Sequence, residues 1–63
     1  MNDYVTIACK KSGKTTYEVI FNKKIYTVYS FNSLGIPHVL GEYNDDKDAM
    51  SYFLTLPGGV VNE

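Results

Sequence analysis

The sequence predicts a small α+β domain, an antiparallel β-meander of three or four strands packed on one C-terminal helix in the order β-β-β-β-α. Three observations lead there. Short runs rich in Val, Ile, Tyr, Phe and Thr recur between Gly-, Asn- and Pro-containing breaks from residue 3 to residue 43. The one stretch with helical apolar spacing opens on Asn44-Asp45-Asp46 and stops at Pro57-Gly58-Gly59. The breaks between runs are too short for crossovers, so neighbouring strands pair antiparallel.

Each element has its own warrant. Residues 3–10 alternate, with Val5, Ile7 and Cys9 on one side and Tyr4, Thr6 and Ala8 on the other. Lys11-Ser12-Gly13 fits a three-residue hairpin loop with Gly in the left-handed position. Residues 15–21 form the second strand, and Asn22-Lys23, or Asn22 to Ile25, makes the next turn. Residues 25–31 form the third strand, rich in β-branched and aromatic side chains. After the turn Asn32-Ser33-Leu34-Gly35, residues 37–43 read as a weaker fourth strand. Pro37 and Gly41 mark it as an edge strand or a bulged one. The helix is expected over residues 45–56. Short acidic side chains cap its free amides and suit its positive end. Its apolar stripe is Ala49, Phe53 and Leu56, flanked by Met50 and Leu54. Residues 60–63 read as a tail, and residues 1–63 as one domain.

Register assigns the faces. A three-residue first loop pairs Ile7 with Tyr17 and Val5 with Val19. An even second loop aligns Tyr17, Val19 and Phe21 with Tyr26 and Val28, and this face seats the helix. An odd loop would swap the two sets of the third strand. The expected core is Val5, Ile7, Val19, Phe21, Val28, Ala49 and Phe53. The opposite face then carries Tyr4, Ile20, Ile25, Tyr29 and Phe31 among Thr6, Thr16, Glu18 and Thr27. A wholly solvated face would be more polar, so a second buried surface is expected there.

A chain of 63 residues buries only about 60% of the surface its unfolded form exposes, which leaves little room for a deep catalytic cleft. Six Lys, no Arg and seven acids give a net charge of −1. That is not the basic footprint of a dedicated nucleic-acid binder, and the guanidinium that best reads phosphate and guanine is absent. Cys9 is the single cysteine, so neither an internal disulfide nor a Cys-based metal site can form. There is no apolar run of membrane-spanning length, and the first eleven residues are too polar for a secretory signal. A cytoplasmic location is the expectation. The abundance of Lys, Asn, Tyr, Ile and Phe with no Arg or Trp is the mark of A/T-rich coding sequence, and points to a bacterial or phage origin.

The motifs that carry chemistry elsewhere are weak here. Ala8 to Thr15 reads Ala-Cys-Lys-Lys-Ser-Gly-Lys-Thr, a loosened P-loop with Ala for the first Gly. A working P-loop needs a helix directly afterwards, and Thr16 to Phe21 reads as strand. His38 has no second His or Cys with which to hold a metal. Cys9 reads as a small buried hydrophobe. The cluster Glu42, Asp45, Asp46 and Asp48 fits helix capping first and an acidic docking patch second; it lacks the Gly and distal Glu of an EF-hand loop. The lysines of the first two turns belong at opposite sheet ends, which breaks any continuous phosphate track. Leu40 to Ala49 resembles the strand-to-helix corner of AP2-type and integrase arm-binding DNA domains. That resemblance implies a three-stranded sheet followed by one helix. The Arg and Trp by which such domains read a groove have no counterpart in this chain.

No nucleophile, base and stabiliser stand together, so the expectation is a non-enzymatic module with no cofactor and no metal. The reading from sequence is a protein-binding module, a phage or mobile-element regulator or inhibitor acting on a host protein in the host cytoplasm. Its contact residues are Tyr4, Ile20, Ile25, Tyr29 and Phe31 on the sheet face, with Glu42, Asp45, Asp46 and Asp48 as a secondary patch. Small size favours a homodimer through the sheet face. The alternative is a small nucleic-acid-binding domain using sheet aromatics and turn lysines.

Overall fold

The computed structural model describes residues 4–60. Four antiparallel strands, β1 (Val5–Ser12), β2 (Thr15–Phe21), β3 (Tyr26–Phe31) and β4 (Pro37–Tyr43), precede one helix, α1 (Asp46–Leu54). The expected β-β-β-β-α architecture is therefore present. A fifth element, β5 (Gly59–Val60), pairs antiparallel with the outer edge of β1, and the sheet order is β4-β3-β2-β1-β5. Gly59 of the stop signal and Val60, the first residue of the segment read as a tail, thus cover part of one sheet edge; the rest of that segment, 61–63, lies outside the described residues.

Turn chemistry sets the registers. Ser12 pairs with Thr15, leaving only Gly13 and Lys14 in the first loop. Gly13 has φ 62, which suits the first central position of a type II′ turn. The expected three-residue loop is thus a two-residue one, and β1 runs two residues further. The second loop, Asn22 to Ile25, is even, as Phe21 pairs with Tyr26 and Val19 with Val28. Its Asn22 carboxamide accepts from the Lys24 and Ile25 amides at 3.2 and 2.9 Å. Ile25 closes this loop rather than opening β3.

Two irregularities decide which side chains reach the core. In β1, Thr6 pairs with Ile20 but Ala8 with Val19, so Ile7 is bulged out of the ladder. From there on, Ala8 and Lys10 take the helix-side positions, and Cys9 turns to the other face. In β4, Val28 faces Gly41 while Tyr29 faces Val39, so Leu40 is the extra residue. The bulge expected near Gly41 is present.

Val19, Val28, Ala49 and Phe53 form the buried core, joined by the partly buried Ala8, Tyr17, Tyr26, Tyr43, Met50, Tyr52 and Leu56. Val5, Ile7 and Phe21 do not belong to it, contrary to expectation. Val5 is 57% and Ile7 44% exposed. The bulge removes Ile7 from the alternation, and α1 packs on β2, β3 and β4 with no comparable contact to β1. Val5 pairs with Phe21, at a corner the helix leaves uncovered. Phe21 is half-buried there and stacks on Tyr26 with centroids 4.4 Å apart.

Asp45 caps α1, its carboxylate accepting from the Lys47 amide at 3.0 Å. The helix stops at Leu54, two residues short of the expected end, with Thr55 as C-cap. Leu54 points outward and Leu56 packs on the core from beyond the helix. The last turn carries no basic residue of its own. Its negative end is met instead by Lys10 from β1, which is only 5% exposed. The Lys10 ammonium donates to the carbonyls of Phe53, Leu54 and Leu56 at 3.2, 3.2 and 2.8 Å, and lies 5.3 Å from the centre of the Phe53 ring. Lys10 is thus a structural cation, not one of the solvated turn lysines.

Candidate functional site: the open sheet face

The helix covers one face of the sheet. Three rows of side chains run across the other. The first is Thr6, Ile20, Thr27 and Glu42, the second Cys9, Glu18, Tyr29 and Val39, and the third Lys11, Thr16, Phe31 and Pro37. Ile20, Tyr29 and Phe31 therefore share one surface, as the even second loop requires. Tyr29 and Phe31 are half-buried and in ring contact at 5.9 Å. Ile25 lies in the loop before β3, half-buried, and Tyr4 precedes β1 with 60% of its surface exposed. Cys9 lies half-buried on this open face opposite Glu18, because of the Ile7 bulge, and not in the helix-side core where alternation placed it.

The face is not uniform. Its β1–β2 half is mainly polar, with Thr6 donating to the Glu18 carboxylate at 3.3 Å. Its β3–β4 half is polar in the first row, at Thr27 and Glu42, and apolar in the other two, at Tyr29, Val39, Phe31 and Pro37, and the apolar character runs on into the loop and edge strand beside it. Leu34 is 81%, Ile36 50% and Val39 56% exposed, and the bulged Leu40 is exposed as well. The sequence places Leu34 in a turn and Val39 and Leu40 in a weak strand, with Ile36 between the two. The available signal was the density of apolar residues from Leu34 to Leu40 next to Pro37, where an edge strand leaves them uncovered.

The acidic residues are divided. Glu42 sits on the open face at the β4 corner, opposite Thr27. Asp45, Asp46 and Asp48 are exposed at the start of α1, where Asp45 is engaged as the cap. Among the described residues, no group of three or more His, Cys, Asp or Glu side chains is arranged to hold a metal ion. His38 is exposed opposite Ser30. The P-loop-like stretch forms the β1–β2 hairpin, so no helix N-terminus follows its lysine.

A groove crosses the open face at the end that holds the first hairpin turn and the β3–β4 loop. Lys11, Lys14, Thr16, Phe31 and Asn32 line it, with Glu18 at its inner end. Lys11 and Lys14 are exposed and make no ion pair among the described residues. Lys23 and Lys24 lie at the other end of the sheet, in the β2–β3 loop, as the meander dictates.

Comparison of the chain with protein-family models, curated proteins and solved structures finds no match in any of the three. Among the described residues, no helix is long and apolar enough to cross a membrane.

Proposed function

We propose that this chain is a small non-enzymatic protein-binding module that holds its partner on the open sheet face, in the manner of a phage or mobile-element regulator or inhibitor of a host protein. One observation carries the reading. The apolar surface of Tyr29, Phe31 and Val39 continues into exposed Ile36 and Leu34, and contiguous apolar surface rimmed by polar groups is what interaction sites present. Tyr and Phe bring contact area with few torsions to fix. Glu42 at the corner of the same face supplies a charged rim, with the helix-start acids beyond it.

Glu18 weighs on the choice of occupant. It stands in the middle row of the face beside Tyr29, so a two-fold axis passing near the centre of the sheet would bring two Glu18 carboxylates close together. That repulsion favours a different protein over the homodimer that small size alone favours. Glu18 and Glu42 share the face with the aromatics, which likewise weakens the nucleic-acid reading. The test pairs Ile20→Glu with Tyr29→Lys. The double variant keeps the helix-side core and a cooperative urea transition, and loses the protein that the parent captures from a bacterial lysate. Retained capture by the folded variant would rule out this face. Sedimentation of the parent as a stable dimer would return the face to a second copy.

A further inference from the structure

We infer that the groove between the first hairpin turn and the β3–β4 loop seats an acidic segment of the protein partner, with an apolar ring on Phe31 and a carboxylate between Lys11 and Lys14. This rests on the protein-binding reading above and assigns the chemistry of what binds. Lys11, Thr16 and Phe31 lie in one row on adjacent strands, so Lys11 stands two strand spacings, roughly 10 Å, from Phe31. In an extended peptide the side chain two residues from an aromatic anchor points the same way, about 7 Å along, and a Glu reaches the remainder. Lys11 and Lys14 make no ion pair among the described residues and outnumber the one acid of the groove, Glu18. Glu18, held by Thr6 at the inner end, repels a carboxylate placed over the sheet centre and so directs it toward the lysine end.

The groove is also built before any partner arrives. The Asn32 side chain accepts from the Leu34 and Ile36 amides at 2.9 and 3.0 Å, and the Gly35 amide donates to the Asn32 carbonyl at 2.9 Å. That bonding fixes one wall. The two-residue turn at Gly13 fixes the other. A wall already ordered by its own hydrogen bonds has little entropy left to lose on binding.

The experiment is an amide-resolved NMR titration of the full chain with a capped peptide of one Phe flanked on each side by two Glu. The expected result is saturable shifts at Thr16, Phe31 and Asn32, weakened by added salt. Lys11→Glu with Lys14→Glu is expected to weaken binding roughly tenfold or more, while Lys23→Glu with Lys24→Glu leaves it unchanged. Replacing the peptide's Phe by Ala is expected to abolish the shifts at Phe31. Four results would each overturn the assignment. They are no saturable shifts at millimolar peptide, equal binding by the Lys11/Lys14 variant, tighter binding of an oligothymidylate at the same amides, or self-association of the chain through them. If one of these occurs while the Ile20/Tyr29 double variant still loses its captured protein, the groove assignment fails alone. If that double variant keeps its protein, the face reading fails with it.

Discussion

Lys10→Met removes the ammonium from the end of α1 while keeping much of the stem that packs beside Phe53. Three carbonyls lose the ammonium as donor, one of them in a buried contact and two in partly buried ones, though the Phe53 carbonyl keeps the Leu56 amide at 3.1 Å. A cation at a partly buried helix C-terminus contributes up to about 2 kcal/mol. The position over the Phe53 ring adds roughly 0.5–1 kcal/mol. Relief of the desolvation cost of the buried ammonium offsets part of this. The net loss expected is about 2 kcal/mol. In a domain of this size that lowers the melting midpoint by roughly 8–16 °C. Thermal and urea unfolding followed by circular dichroism measure it. Lys11→Met is the matched control, since Lys11 is exposed and bonds no helix carbonyl; a change within about 0.5 kcal/mol is expected. Equal midpoints for Lys10→Met and the parent would refute the view that β1 caps the helix.

Two further predictions follow from packing and backbone. Phe53→Ala is expected to cost about 3–5 kcal/mol, enough to unfold most of so small a domain, whereas Val5→Ala is expected to cost well under 1 kcal/mol because Val5 is more than half exposed; urea melts decide both. Gly58→Ala is expected to cost about 1–3 kcal/mol, since Gly58 has φ 102 and an added Cβ would run into the Lys11 carbonyl. Faster amide exchange at the β1–β5 pairing in that variant would show that the strain falls there, and unchanged exchange with unchanged stability would contradict it.

Much of the fold is local and therefore legible. Asn22 and Asn32 organise turns through their own side chains, Asp45 caps the helix it precedes, and Pro57 lies just past the helix end. The even second loop places Ile20, Tyr29 and Phe31 on one surface, so the centre of the candidate site could be read from alternation. The features that could not be read depend on distant partners. Nothing in Val5-Thr6-Ile7-Ala8 marks Ile7 as the residue that leaves the ladder, yet that bulge exposes it and moves Cys9 to the open face. Lys10 resembles its neighbours Lys11 and Lys14 in sequence, and only the return of the chain at residues 53–56 makes it a cap. The same return lays Gly59 and Val60 against β1, a pairing that two residues cannot announce. Leu34 and Val39 read as turn and strand fillers because their exposure depends on β4 being an edge of the sheet among the described residues.

Photo-crosslinking in a bacterial lysate distinguishes a partner held on the open face from one held on the helix. A photoreactive phenylalanine replaces Val39 in one variant and Leu54, on the outer surface of α1, in another. The two positions are closely matched, at 56% and 60% exposed. The expected result is a discrete adduct with one other protein from the Val39 position and none from the Leu54 position. An adduct formed equally or only at Leu54, or one at Val39 of twice the mass of the chain, would contradict it.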